Sequence, residues 1–77
     1  MKELVLSCKI PKGKSGVIRE IKGDIGIVSR LREMGFGEGT TITKFSEDAH
    51  QCIIINLKGK KMYLSEIAAH CIFVELK

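Results

Sequence analysis

Apolar residues along this chain follow two different periods. Between Ile25 and Met34 they recur at helical spacing: Ile27, Leu31 and Met34 fall at i, i+4 and i+7, with Val28 beside them. Arg30, Arg32 and Glu33 fall off that stripe and are expected to face water. Asp24 is placed to cap the helix N-terminus, although Gly26 weakens the first turn and no Glu or Gln completes a capping box. Gly35 suits the left-handed residue just past a helix end, where a Cβ would be costly. Phe36 is then positioned to fold back onto Leu31 in a Schellman-type closure. Gly37 and Gly39 permit a sharp reversal before the β-branched run Thr40-Thr41-Ile42-Thr43.

Elsewhere the period is two. Leu4 to Leu6 is a short apolar opening that suits a strand, and Ser7 caps a brief turn through Cys8 and Lys9. Ile10-Pro11-Lys12-Gly13 is turn chemistry. Gly16 to Lys22 reads as a strand in which Val17, Arg19 and Ile21 alternate with Ile18, Glu20 and Lys22. Ile18 spoils a clean two-face pattern. Thr40 to Phe45 is the second main strand, and Ser46 to His50 a polar connection. Cys52 to Leu57 is a strongly apolar strand, Lys58-Gly59-Lys60 a tight turn, and Lys61 to Leu64 a short strand with Met62 and Leu64 on one face. Ser65 is placed to cap one helical turn, Glu66 to Ala69. Ile72, Val74 and Leu76 alternate through the last strand.

About five short strands punctuated by turns predict a mostly β domain, a small closed or nearly closed barrel with a short helical insertion covering one end. Closure removes strand edges that invite aggregation. The expected interior is Val17, Ile21, Leu31, Ile42, Ile53, Ile55, Leu64, Ala68, Ile72 and Val74.

At 77 residues the chain makes one domain, residues 1–77, with a marginal core. A hydrophobic share of 44% argues against disorder. A formal net charge of +4 permits contact with an anionic partner without selecting one. Three Phe, one Tyr and no Trp count against an aromatic platform for single-stranded nucleic acid. Cys8, Cys52 and Cys71 follow no disulfide framework, which fits a reducing compartment. The opening apolar run is too short for a signal peptide, and no stretch approaches membrane-spanning length. A soluble, intracellular protein is expected.

Chemical motifs are few. Gly13-Lys14-Ser15 superficially suggests a phosphate-binding loop, but Cys8 stands where the motif needs its first glycine, and a strand follows where it needs a helix. Nucleotide binding there is rejected. His50 and Cys52 share one face of an extended segment, whereas His70 and Cys71 point to opposite faces. These four are the only metal candidates, weak ones lacking C-x-x-C or helical His spacing, and free Cys is usually a small buried hydrophobe. No tight metal site, no cofactor and no catalytic constellation are expected; the reading is not an enzyme. Glu47-Asp48 and Glu66 look like loop and cap residues. Lys9, Lys12, Lys14, Arg19 and Lys22 make the first third basic.

The assembled pattern resembles the FeoA family, the small cytosolic component of bacterial ferrous iron transport. The matching residues are Gly13-x-x-Gly16-Val17-Ile18-Arg19-Glu20-Ile21 with Gly23-Asp24, then Arg30-Leu31-Arg32-Glu33-Met34-Gly35-Phe36, Gly39-Thr40-Thr41-Ile42, Leu64-Ser65-Glu66-Ile67-Ala68 and Ile72-Phe73-Val74. Two departures stand out. Ser29 replaces the first of the paired arginines often found in the family, and Glu38 replaces a proline, which should make the turn less rigid. The resemblance implies an SH3-like β-barrel, a cytoplasmic location, and an adaptor working with the membrane transporter FeoB through that protein's cytosolic part. Recruitment to the inner membrane face would then come from FeoB and not from insertion of this chain. Because FeoB carries a GTP-binding domain, the resemblance would allow Arg30 to act in trans as a GTPase finger, but an arginine on a helix surface is more often plain solubility charge. The fold also occurs as a C-terminal domain of DtxR-type repressors, which suggests a protein-interaction module. The expected partner contacts are Arg30, Arg32, Phe36, Glu38 and Tyr63, since arginine and aromatic side chains most often anchor interfaces; Phe36 competes with its role in closing the helix. Oligomer formation is left open. The alternative is an RNA- or ribosome-binding SH3-like domain, motivated by the basic first third and by the likeness of Gly13-x-x-Gly16-x-Ile18 to strand entries in translation proteins.

Overall fold

A computed structural model of the chain describes residues 3–47 and 53–77. Its elements are β1 (Val5–Leu6), a 3-10 turn (Ser7–Lys9), β2 (Ser15–Ile21), α1 (Ile25–Glu33), β3 (Thr41–Glu47), β4 (Ile53–Leu57), β5 (Lys60–Leu64), α2 (Glu66–Ala69) and β6 (Ile72–Leu76). The strands form one antiparallel sheet in the order β1-β6-β2-β3-β4-β5. The fold is therefore mostly β, a small barrel-like sheet with α1 inserted between β2 and β3. The sixth strand is the two-residue β1, paired with β6 through Val5 opposite Val74 and Leu6 opposite Phe73.

Two bulges bend the sheet and shift its side-chain phase. In β2 the pairing with β6 slips between Ile18 and Glu20; in β3 the pairing with β4 slips between Lys44 and Ser46. The first slip explains why Ile18 spoiled the alternation. Gly16 and Ile18 point inward, the bulge at Arg19 resets the phase, and Ile21 points inward again. Val17, expected in the core, is only half-buried, because it lies on the opposite face from Gly16 and Ile18. Gly16 brings β2 close to β6, since a Cβ there would meet the Val74 side chain at 3.0 Å.

Before the second slip Ile42 and Lys44 alternate inward, and Phe45, at the slip itself, is exposed. Lys44 is thus almost fully buried, at 2% exposed. Its ammonium donates to the Cys8 carbonyl at 2.8 Å, and its backbone exchanges hydrogen bonds with Gly13 and Lys14. A buried cation requires such partners, and these tie the β1–β2 connection onto β3. The exposed Phe45 ring is covered in part by the Lys61 ammonium, 4.6 Å from its centre.

Both helix caps form as the sequence predicts. Asp24 accepts from the backbone N–H groups of Gly26 and Ile27, and the Ser65 hydroxyl accepts from Ala68. The C-terminus of α1 closes as a Schellman motif: Gly35 N–H donates to the Arg32 carbonyl at 3.1 Å and Phe36 N–H to the Leu31 carbonyl at 3.0 Å. Gly35 holds φ +104°, a region that favours glycine. The closure carries Phe36 into the core cluster that also holds Leu31.

The core comprises Ile10, Ile18, Ile21, Leu31, Phe36, Ile42, Ile53, Ile55, Leu57, Leu64, Ala69, Cys71, Ile72 and Val74. Ile10, Ile18, Phe36, Leu57, Ala69 and Cys71 are additions to the expected set. Within α2 it is Ala69, not Ala68, that is fully buried; Ala68 packs against the core from its edge. Substituting Leu31→Ala is expected to cost about 2–5 kcal/mol in urea unfolding, because the side chain is 2% exposed. An unchanged midpoint would mean that α1 does not pack through Leu31.

Candidate functional site

The stripe that seats α1 is wider than the core beneath it. Leu31 is buried, while Ile27 and Met34, on the same stripe, remain half-buried. Facing them across a groove are the end of β5 and the first turn of α2, contributing Tyr63, Leu64, Ser65, Ile67 and Ala68. The groove holds about 430 Å³ and is mostly apolar. Among the described residues, Arg30 is the only charged side chain on its lining. Tyr63 is 66% exposed and Ile67 67% exposed, so two large side chains stand in water at its lip. Short α2 cannot bury every apolar residue it carries: Ala69 reaches the core, and Ile67 is left outside.

The expected contact residues have different fates. Arg30 and Tyr63 lie exposed and come together on the groove. Arg32 and Glu38 are also exposed but are engaged with each other. The Arg32 guanidinium donates two parallel hydrogen bonds to the Glu38 carboxylate, at 2.7 and 3.0 Å. This fork ties the helix end to the following turn. Glu38, where the family often has proline, thus bridges the turn back to α1. Phe36 is corrected as an accessible contact: at 1% exposed it belongs to the core, where the Schellman closure puts it.

The metal candidates divide similarly. His50 and Cys52 lie outside the described residues. The exposed His70 ring has Nδ1 2.7 Å from the Glu66 carbonyl, so a protonated Nδ1 donates there. Cys71 is buried and its thiol points to the Ile67 carbonyl at 3.5 Å. Among the described residues, no group of three or more His, Cys, Asp or Glu side chains is gathered to hold a metal. Ser15 starts a strand and its hydroxyl shares a hydrogen bond with Thr43, so the Gly13-Lys14-Ser15 segment has no helix behind it. In the basic first third, Arg19 pairs with Glu75 and Lys22 with Glu20, while Lys9, Lys12 and Lys14 are exposed. Among the described residues, no helix is long and apolar enough to cross a membrane.

Ile27, Met34 and Ile67 are the groove residues that sequence reasoning missed. The first two sit on a stripe that periodicity assigns to the core. The signal for Ile67 was available: an isoleucine on a helix of one turn, next to two alanines small enough to take the interior positions.

The FeoA domain model matches residues 8–76. The fold is similar to a crystal structure of an iron uptake regulatory protein, FeoA, with a TM-score of 0.87 at 23% identity, covering 97% of this chain and 100% of that one. It is also similar to Stenotrophomonas maltophilia FeoA complexed with zinc, described as a prokaryotic SH3 domain protein, with a TM-score of 0.79 at 18% identity over 92% of this chain and 89% of that one. A manganese-dependent transcriptional repressor matches over 100% of this chain and 44% of its own length, with a TM-score of 0.90 at 14% identity. These likenesses establish an SH3-like fold. No curated protein sequence matches the chain.

The Arg32–Glu38 fork has a measurable signature. Hydrogen bonds from Arg32 and from the backbone lower the Glu38 carboxyl from 4.5 to about 2, and the same contact raises Arg32. A carboxyl whose folded value lies below its unfolded one stabilises the fold above the unfolded value, and that contribution is lost as pH falls through the folded one. The tether should therefore hold at neutral pH and weaken as pH falls from about 4.5 toward 2. Carbon-detected NMR titration should place the Glu38 midpoint well below the ordinary glutamate value of 4.5, and Arg32→Ala should raise it toward that value.

Proposed function

This chain belongs to the FeoA family, linked to ferrous iron transport, and we propose that it is a non-enzymatic adaptor that docks on the cytosolic part of the transporter FeoB. The observation that carries this reading is the apolar groove between α1 and β5–α2, with Arg30 on its wall and Tyr63 and Ile67 exposed at its lip. Exposed apolar surface rimmed by an arginine and a tyrosine is the composition of an interface anchor. The Arg32–Glu38 pair at the helix end completes the proposed surface by holding the corner after α1 in place. Other exposed apolar side chains, Leu4, Ile25, Phe45 and Leu76, do not line the groove, and the Phe45 ring is covered in part by Lys61. Membrane recruitment would then come through FeoB.

Calorimetric titration against FeoB in nanodiscs tests the reading. Wild type should bind, and Arg30→Ala and Tyr63→Ala should each weaken binding about tenfold while retaining the wild-type circular dichroism spectrum. Absence of binding to FeoB, together with steeply salt-dependent RNA binding through Lys9, Lys12 and Lys14, would replace the adaptor by an RNA-binding domain. Binding that neither variant weakens would keep the partner and move the surface elsewhere.

A further inference from the structure

The groove carries more information than its apolar character. Of the three arginines in the chain, two already hold a carboxylate: Arg19 pairs with Glu75, and Arg32 with Glu38. Arg30 has no such partner among the described residues, and no acidic side chain lines the groove it borders. A guanidinium presents a planar fork of donors that matches a carboxylate in two parallel bonds, as Arg32 demonstrates within the same helix. Around Arg30 stand Ile27, Met34, Tyr63 and Ile67, which offer aliphatic and aromatic contact.

We infer that this groove selects a peptide segment of the partner in which aliphatic side chains lie next to an Asp or Glu. The aliphatic groups fill the space between α1 and α2, and the carboxylate pairs with Arg30. The inference rests on the adaptor reading only for which protein supplies the segment. Charge supports an acidic segment over a basic one: the chain carries +4 overall, and a Lys or Arg entering the groove would meet Arg30 with no acid among the described residues of the lining. Nucleic acid fits poorly, because a phosphate backbone is held by a series of cations and the groove lining holds one. Apolar contact supplies the area, and the single ion pair supplies selectivity.

The test uses the full chain, labelled with nitrogen-15, and two capped peptides. One bears a leucine stripe at helical spacing with an adjoining glutamate; its twin has glutamine there. The glutamate peptide should shift the amides of Ile27, Arg30, Met34 and Ile67 and bind about fivefold to tenfold more tightly than the twin. Arg30→Gln should abolish that preference, and Ile67→Ser should weaken both peptides; both positions are exposed, so folding is retained. Equal affinity of the twins for wild type, no binding of either, or shifts confined to another face would overturn the inference. So would octanoate competing more tightly than the glutamate peptide, which would make this a lipid site. The FeoB titration separates the two readings. If FeoB binds wild type, Arg30→Gln and Ile67→Ser alike, the groove inference fails and the adaptor stands. If FeoB does not bind while the glutamate peptide does with its preference intact, the adaptor fails and the groove specificity stands.

Discussion

Six short strands share one interior only if the sheet bends, and the two bulges at Arg19 and Phe45 supply that bend. They sit on adjacent strands, β2 and β3, on either side of α1 in sequence. Each inserts one residue, and each therefore changes which side chains face inward beyond it. Ile18 and Ile21 can both be buried, three residues apart, only because Arg19 is looped out between them. On β3 the inward phase before the bulge includes Lys44, whose amine must then find a buried acceptor. The Cys8 carbonyl is that acceptor. The β1–β2 connection is thus anchored by a consequence of sheet curvature, and Ile10 enters the core next to it.

This is also where sequence reading reached its limit. Elements whose signals are local were legible: the Asp24 and Ser65 caps, the Gly35 closure, the Lys58-Gly59 reversal and the boundaries of most strands. Each depends on the conformational preferences of a few adjacent residues. The burial of Val17 against Ile18, or of Ala68 against Ala69, depends instead on a register set by a partner strand or on the angle at which a one-turn helix lands. A period of two carries no mark of where it will slip. Lys44 shows the same point in reverse, since no local feature of Thr43-Lys44-Phe45 says that the charged residue goes inside and the aromatic one outside.

The candidate site was half legible for a related reason. Residue type together with periodicity singled out Arg30, off the helix stripe, and Tyr63, opposite Met62 and Leu64, and both are exposed on one groove. Phe36 was selected by the same rule and is buried, because a backbone motif takes precedence over side-chain type at a helix end. Hydrogen bonds from Gly35 and Phe36 to the last turn fix the direction in which the chain leaves, and that direction carries the ring into the core.

Three arginines on one small surface do three different things, and the difference follows from what each element brings near. Arg19, looped out by the β2 bulge, reaches the neighbouring strand and meets Glu75 of β6. Arg32 lies in the last turn of α1, where the reversal through Gly35 to Gly39 returns Glu38 to within reach of both its nitrogens. Arg30 lies two residues earlier, on the side of the helix that looks toward β5 and α2. Those elements present Tyr63, Ser65 and Ile67 to it and no carboxylate on the groove lining. Surface ion pairs contribute little stability individually; Arg19 bridges a strand pair, and Arg32 bridges the corner after the helix. With the corner fixed, the wall carrying Ile27, Arg30 and Met34 keeps its place opposite α2. An arginine held on a rigid helix beside exposed apolar side chains loses less freedom on meeting a ligand than one on a mobile loop, and that preorganisation favours binding over solvation.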